Sequence, residues 1–518
     1  MKTRRVAVIE NRYFDSVFLM AMARRITEET GIENAAAVMG SDANKTVLEN
    51  MGFDATALKR GKPHDLMVAI EGESAAIEAV LSNMEQWLAR PASRLQGGLA
   101  LSLDDALAQQ PNSNLAVISV PGEYAAQEAH EALERGLNVF LFSDHVSVED
   151  ELALKRKASQ SDLLVMGPDC GTALIAGTGV GFANVVRQGP IGVIASSGTG
   201  LQEFTSLVHR AGSGISHGIG TGGRDLTDAI GGLSTLSAIT ALEDDPGTAV
   251  IAIVSKPPGK ETLEMILARL ESCSKPAVAC LLGIDKEAIP TDLPFGVHTT
   301  IDEAVEEALK LADGNAASNV DASSEEMDAL LESEAELFSH GQRYIRGLFA
   351  GGTFCYQAQQ VMKEGGVTVH SNAPLPGMEP LGDQGASEEN TLIDMGADEF
   401  TVGMPHPMID ATQRRKHIGD EARDSEVGVL LLDIVLGYNA SPDPAGDLAE
   451  AIVDAKHSAT EAGRHLTVVA SICGTDLDPQ GLEAQEQILQ AAGAIVFPSN
   501  AQASQFALEL HKRLREGG

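Results

Sequence analysis

Val193-Ile194-Ala195-Ser196-Ser197-Gly198-Thr199-Gly200 reads as a buried strand that runs through a small-residue turn into a helix, and Gly351-Gly352-Thr353 repeats the turn further along the chain. The first backbone amides of a helix have no acceptor inside it, and the macrodipole adds partial positive charge there, so an oxyanion can settle at such a start. Ser196, Ser197, Gly198 and Thr199 on one side, and Gly351, Gly352 and Thr353 on the other, are therefore candidate phosphate ligands. Each turn alone also fits an ordinary strand-to-helix connection. The repetition favours one shared oxyanion.

Outward from these turns the chain alternates apolar runs with helical stretches, the pattern of parallel strands joined by crossover helices. Residues 187–312 carry strands at 191–195, 249–254 and 277–282, with helices expected after Ser197, Arg224 and Lys260. Residues 341–518 repeat that organisation with longer loops, so a domain-scale duplication is expected, its two copies facing each other across one site. Upstream, 91–186 reads as a shorter α/β domain whose third strand ends in Gly167-Pro168-Asp169-Cys170-Gly171-Thr172, and 1–90 as a small N-terminal α/β domain. The polar, acidic stretch 313–340 reads as a linker carrying a short solvated helix.

At 518 residues the chain is too long for one core. Hydrophobic residues make up 43% of it but aromatics only 4%, with 52 glycines, which describes interiors of Ala, Val, Ile and Leu with many tight turns. The formal net charge of −37 opposes nucleic acid and anionic lipid as partners. Any anionic substrate must be drawn in by local donors against that field. The five cysteines have no CxxC spacing, the start MKTRRVAVIENRYFD has no signal-peptide character, and no apolar run reaches the roughly 20 residues of a membrane span, so a cytoplasmic protein is expected.

Three side chains stand out as candidates for catalysis. Arg224 follows Thr221-Gly222-Gly223, which puts a guanidinium suited to bidentate phosphate or carboxylate capture near the first turn; an ion pair with Asp225 or Asp228 is the competing role. Lys256 in Ser255-Lys256-Pro257-Pro258 is held at a sheet rim, because the prolines delay the next helix. His406 lies between Pro405 and Pro407, whose rings restrict the backbone, and is a candidate for proton handling. Gly222, Gly223, Asp169 and Cys170 are further candidates for lining the site, and Asp394 and Asp433 lie in strand-like runs as candidate buried partners. Gly177-Thr178-Gly179-Val180-Gly181 lacks the strand and spacing of a dinucleotide fingerprint, no GxxxxGK[ST] loop is present, and His130, His145, His209, His217 and His298 have no metal-ligand spacing.

The motifs GPDCGT (167–172), VIASSGTG (193–200), GIGTGGRDL (218–226), VSKPP (254–258), VGMPHPMID (402–410) and LLLDIVLG (430–437) resemble the FdrA family, itself similar to the NDP-forming acyl-CoA synthetases such as succinyl-CoA synthetase. The resemblance implies a Rossmann-like, truncated CoA-binding-type domain at 91–186 and two flavodoxin-like ligase domains at 187–312 and 341–518. It also implies a phosphate between the two helix starts. Where the synthetases carry their phosphorylated histidine, this chain has Leu282-Gly283-Ile284-Asp285-Lys286-Glu287-Ala288-Ile289; an ATP-grasp domain and the Gly-rich CoA turn are also missing. From FdrA-type proteins, the resemblance implies a subunit of a hetero-oligomeric carbamoyltransferase acting on carbamoyl phosphate or phosphate and oxamate or oxalurate. That activity needs no cofactor, whereas the alternative, an acyl-CoA synthetase subunit, would use CoA and nucleotide; a non-catalytic scaffold subunit is the third possibility.

Overall fold

In the computed structural model every residue is described except 1, 10, 11, 13, 15, 63, 89–99, 101, 285–288, 314–323, 339–340, 383–385, 403 and 517–518. The expected boundary at residue 90, half of the loop 282–289 and much of the linker 313–340 thus lie outside the described residues. The chain forms two compact units, Met1–Ser113 with Asp398–Asp410, and Asn114–Ala397 with Ala411–Gly518.

The first unit is built on a three-stranded antiparallel sheet of β1 (Lys2–Ile9), β2 (Ile32–Met39) and β3 (Leu66–Glu73), with β3 in the middle. Alternation along β3 sends Leu66, Val68 and Ile70 to one face and Met67 and Ala69 to the other. Leu19, Met22 and Ile26 of helix Ser16–Thr27 and Ile77 and Val80 of helix Ser74–Ser82 cover the first face. Leu48, Phe53 and Leu58 cover the second.

The second unit holds three sheets. A parallel trio, β4 (Leu115–Ile118), β5 (Asn138–Leu141) and β6 (Val165–Met166), comes first. A seven-stranded sheet follows, ordered β13-β12-β11-β9-β10-β7-β8. Its members are β7 (Thr172–Ile175), β8 (Thr178–Gly181), β9 (Gln188–Ala195), β10 (Ile215–Gly220), β11 (Val250–Ser255), β12 (Ala277–Leu281) and β13 (Gly296–His298). β7 and β8 form an antiparallel hairpin on its edge, which is what the glycines of 177–181 serve. The third sheet is parallel throughout and ordered β16-β15-β17-β14-β18-β19-β20, from β14 (Tyr344–Phe349), β15 (His370–Ser371), β16 (Glu379–Pro380), β17 (Thr391–Asp394), β18 (Val427–Val435), β19 (Thr467–Cys473) and β20 (Ala494–Phe497). β18 is buried along its whole length, as a strand covered on both faces must be.

The two large sheets share one device. After β9 the chain adds β10 on one side and then β11 on the other; after β14 it adds β17 on one side and β18 on the other. Each central strand therefore borders a point where strand order reverses, the crevice in which open α/β sheets place ligands. From these two strand ends start helix Gly198–Arg210 and helix Gly352–Glu364. The helix expected directly after Arg224 begins later, as Leu233–Asp244, because the carboxylate of Asp225 accepts from the amides of Ser234 and Thr235 and sets its start there.

Candidate functional site

The starts of helices Gly198–Arg210 and Gly352–Glu364 abut. Small residues permit this reciprocally: a Cβ on Gly200 would lie 3.2 Å from the Thr353 methyl, and a Cβ on Gly351 would lie 2.8 Å from the Thr199 methyl. At the junction the hydroxyls of Ser197 and Thr353 are hydrogen-bonded to each other. Ser197 also caps its own helix by accepting from the Gly200 amide.

Three turns from neighbouring strand ends frame the first helix start. The amide of Ser196 donates to the Val254 carbonyl at 3.1 Å, and its hydroxyl is 3.0 Å from that of Ser255, which ties the ends of β9 and β11 together. The Thr221-Gly222-Gly223 turn crosses the Gly167-to-Asp169 turn so closely that a Cβ on Gly222, at φ +88, would meet the Pro168 carbonyl at 2.4 Å. Asp169 sits nearby, its carboxylate 3.9 Å from the Cβ position of Gly223. Cys170 is buried there, and burial pushes its thiol up to about 12, so it is neither a nucleophile nor a thiolate ligand at neutral pH.

The second helix start differs in what faces it. Asp433 on β18 accepts from the amide of Ala350 at 2.7 Å and from that of Gly351 at 3.0 Å. Its own counter-ion is Arg414, whose guanidinium lies 2.9 Å away and also donates to the carbonyls of Leu348 and Asp433. Burial pushes the Asp433 carboxyl up, against the pull of Arg414 and the two amides. Asp394 closes the same end from β17, its Oδ2 2.5 Å from the Cβ position of Gly352. Gly351, expected among the phosphate ligands, thus has its amide committed to a carboxylate of the chain itself. Gly352 and Thr353 remain as the amides of this helix without an acceptor inside it.

Lys256 is half-buried, with its ammonium 3.4 Å from the Cβ position of Gly352 and 4.5 Å over the ring of Tyr356. It stands at the end of β11 and reaches the start of the Gly352 helix, bridging the two crevices with positive charge. Arg224 does not join it. Its guanidinium donates to Glu151 at 3.0 Å and to the Val146 carbonyl at 2.7 Å, a partner 73 residues upstream rather than the neighbouring Asp225 or Asp228. Glu151 and Asp225 in turn hold the fully buried ammonium of Lys155, each at 2.8 Å, and Lys155 also donates to the Thr221 carbonyl. This buried cluster braces the 221–224 turn from behind. Arg224 thus has its Nε and one terminal nitrogen engaged in this cluster rather than beside Lys256.

His406 belongs to the first unit, not to the unit that carries the helix starts. Arg24 of helix Ser16–Thr27 donates to the Ile409 carbonyl at 2.9 Å and fixes the segment there, while Nδ1 of His406 accepts from the Met408 amide at 3.2 Å. Sequence reasoning also passed over Thr172, the last residue of the GPDCGT turn. Its hydroxyl is buried and lies 3.0 Å from the Cβ position of Gly198.

Among the described residues no helix is long and apolar enough to cross a membrane, and no cluster of three His, Cys, Asp or Glu side chains is placed to hold a metal ion.

The CoA-ligase family model matches residues 348–510, and that of the AllF, heavy metal-associated domain matches residues 1–103. Over 510 residues, 98% of each chain, the sequence is 43% identical to the uncharacterized protein YahF of Escherichia coli (strain K12). The alpha subunit of an ADP-forming succinate–CoA ligase from Methanothermobacter thermautotrophicus is 29% identical over 178 residues, covering 34% of this chain and 59% of that subunit. Among solved structures, the apo dinucleotide forming acetyl-coenzyme A synthetase 1 of Ca. Korarchaeum cryptofilum covers 82% of this chain and 89% of its own at 17% identity, with a TM-score of 0.34. The CoA-ligase family match and the succinate–CoA ligase relative overturn the carbamoyltransferase assignment: both point to CoA ligases, an acid–thiol ligase class. Residues 1–103 contain no cysteine and a single histidine, His64, which is exposed beside Asp65; their soft donors are methionine thioethers.

Proposed function

The chain belongs to the family of Escherichia coli YahF, and from the CoA-ligase match over residues 348–510 and the similarity to a succinate–CoA ligase alpha subunit we propose that it is an acid–thiol ligase of the acyl-CoA synthetase class that carries the phosphate-dependent half of the reaction. In that half, a phosphate oxygen attacks the thioester carbonyl of an acyl-CoA, the carbon–sulfur bond breaks, and the thiolate leaves as CoA once protonated. The products are an acyl phosphate and free CoA. The nucleotide-using half, which needs a phosphoryl carrier and an ATP-binding domain, lies outside this proposal. FdrA-type membership, inferred from the motif order, is part of the same proposal, and so is a hetero-oligomeric assembly.

The single observation that supports this reading is the meeting of two helix starts at the Ser197–Thr353 contact, with Lys256 beside them. An oxyanion taking the place of that contact would find the amides of Gly198, Thr199, Gly352 and Thr353 and the Lys256 ammonium, all in position before it arrives. Preorganised donors of this kind stabilise charge that develops on the reacting oxygens. The sequence at 282–289 has no histidine to accept the phosphoryl group, which is why the reading stops at acyl phosphate.

Arsenate tests it. Acyl arsenates hydrolyse spontaneously, so the purified protein should release free CoA thiol from an acyl-CoA in an arsenate-dependent manner, and Lys256→Met should lower the rate at least about tenfold, the cost of one charged contact in the transition state. Failure to release thiol across a panel of short-chain and dicarboxylic acyl-CoAs would overturn the proposal.

A further inference from the structure

The site leaves one buried group beside it unexplained. Thr172, at the start of β7, is 2% exposed, and its hydroxyl has no hydrogen-bond partner among the described residues. A buried hydroxyl without a partner is costly and rare enough to need a reason. Its position supplies one. Oγ1 lies 3.0 Å from where a Cβ on Gly198 would stand, and the Thr172 amide lies 3.8 Å from the same point, so the hydroxyl is aimed at the first residue of the Gly198 helix. The helix amides there are donors in search of an acceptor, and the hydroxyl of Ser197 is already engaged with Thr353 and Gly200.

We propose that Thr172 is a ligand of the oxyanion held at the start of the Gly198 helix, donating its hydroxyl hydrogen to an oxygen that the helix amides do not reach. The inference rests on the phosphate reading above and adds the residue that selects a multi-oxygen anion over a simple halide or carboxylate. A tetrahedral anion offers oxygens in several directions at once: two amides take one side, Thr172 takes another, and Ser197 with Thr353 a third. Gly198 is then explained too, since any side chain there would stand between Thr172 and the ligand.

Calorimetric titration of the full chain with inorganic phosphate, alongside its thermal unfolding, tests the assignment. In Thr172→Val, which keeps the shape and removes the hydroxyl, phosphate affinity should fall roughly tenfold, the value of one hydrogen bond to a charged acceptor. The phosphate-free unfolding temperature should stay level or rise, because an unsatisfied buried hydroxyl has gone. Thr172→Ser should keep affinity within about threefold of the wild type by retaining the donor. Equal phosphate affinity in wild type and Thr172→Val, or a loss in Thr172→Ser as large as in the valine variant, would overturn the role of Thr172 and leave the phosphate site standing. Absence of phosphate binding by the wild type would overturn both.

Discussion

The turns at 196–199 and 350–353 are near-copies in sequence and sit at equivalent points of two similar sheets, yet they have different electrostatic environments. Around the first, the neighbouring strand β11 ends in Ser255, and the side chains that reach the helix start are hydroxyls, while Lys256, next along, reaches over to the second start. Around the second, the equivalent neighbour β18 brings Asp433, and β17 brings Asp394. One crevice keeps its donors for a guest, while the other spends two amides on a carboxylate that Arg414 must balance. An adjoining strand that supplies its own anion thus takes part of a helix start and leaves only the later amides, here those of Gly352 and Thr353, for a ligand. That difference turns two equal-looking half-sites into one open end and one partly anchored end.

The largest effect should come from emptying the anchored end. Asp433→Ala leaves the Arg414 guanidinium buried without a counter-ion and strands the amides of Ala350 and Gly351, and should cost about 3–5 kcal/mol in urea unfolding. An unfolding midpoint equal to that of the wild type would erase the distinction between the ends.

A smaller contrast lies in the glycines. A methyl on Gly352 would press on the Asp394 carboxylate at 2.5 Å, whereas one on Gly198 would meet the Thr172 hydroxyl at 3.0 Å. Gly352→Ala should therefore destabilise by about 1–3 kcal/mol and Gly198→Ala by less. The reverse order would mean that the second start is the looser one.

Next comes the contact between the ends. Ser197→Ala should cost about 1 kcal/mol through its lost cap, and the double variant with Thr353→Val should depart from additivity by about 0.5 kcal/mol or more. Strict additivity would mean that the two starts do not sense each other.

The smallest effect is a proton linkage on the Gly198 helix. Burial pushes Glu203 up to about 7, although it accepts from the Asn500 amide at 3.0 Å. Because its folded value lies above its unfolded one, its stabilising contribution is complete below pH 4.5 and is lost as pH rises towards about 7. Glu203→Gln should flatten that decline in a pH series of unfolding temperatures, and an unchanged slope would remove Glu203 as its source.

Much of this architecture is legible in the sequence because it rests on local signals. Apolar runs, glycine turns and their repetition are enough to indicate two related sheets with a helix launched from the middle of each. What decides the chemistry is not local. Asp433 reaches Gly351 across 82 residues and Glu151 reaches Arg224 across 73, and neither pairing leaves a trace in spacing or periodicity. Lys155, in the polar run Lys155-Arg156-Lys157, reads as a solvated helix face, yet it is buried between two carboxylates. His406 stands out for its flanking prolines, a backbone property that says nothing about the unit to which it belongs. Thr172 had a signal, its place in a turn at a strand end, but the thiol of Cys170 drew attention two residues short of it.

One tetrahedral oxyanion shared by the two helix starts, in place of the Ser197–Thr353 contact, is what the proposed reaction requires. Crystals of the full chain grown or soaked in saturating phosphate test it most directly. A phosphate bound by the amides of Gly198, Thr199, Gly352 and Thr353, with Lys256 in reach and the two hydroxyls parted, is the predicted result. An intact Ser197–Thr353 hydrogen bond with no anion at the junction would contradict it.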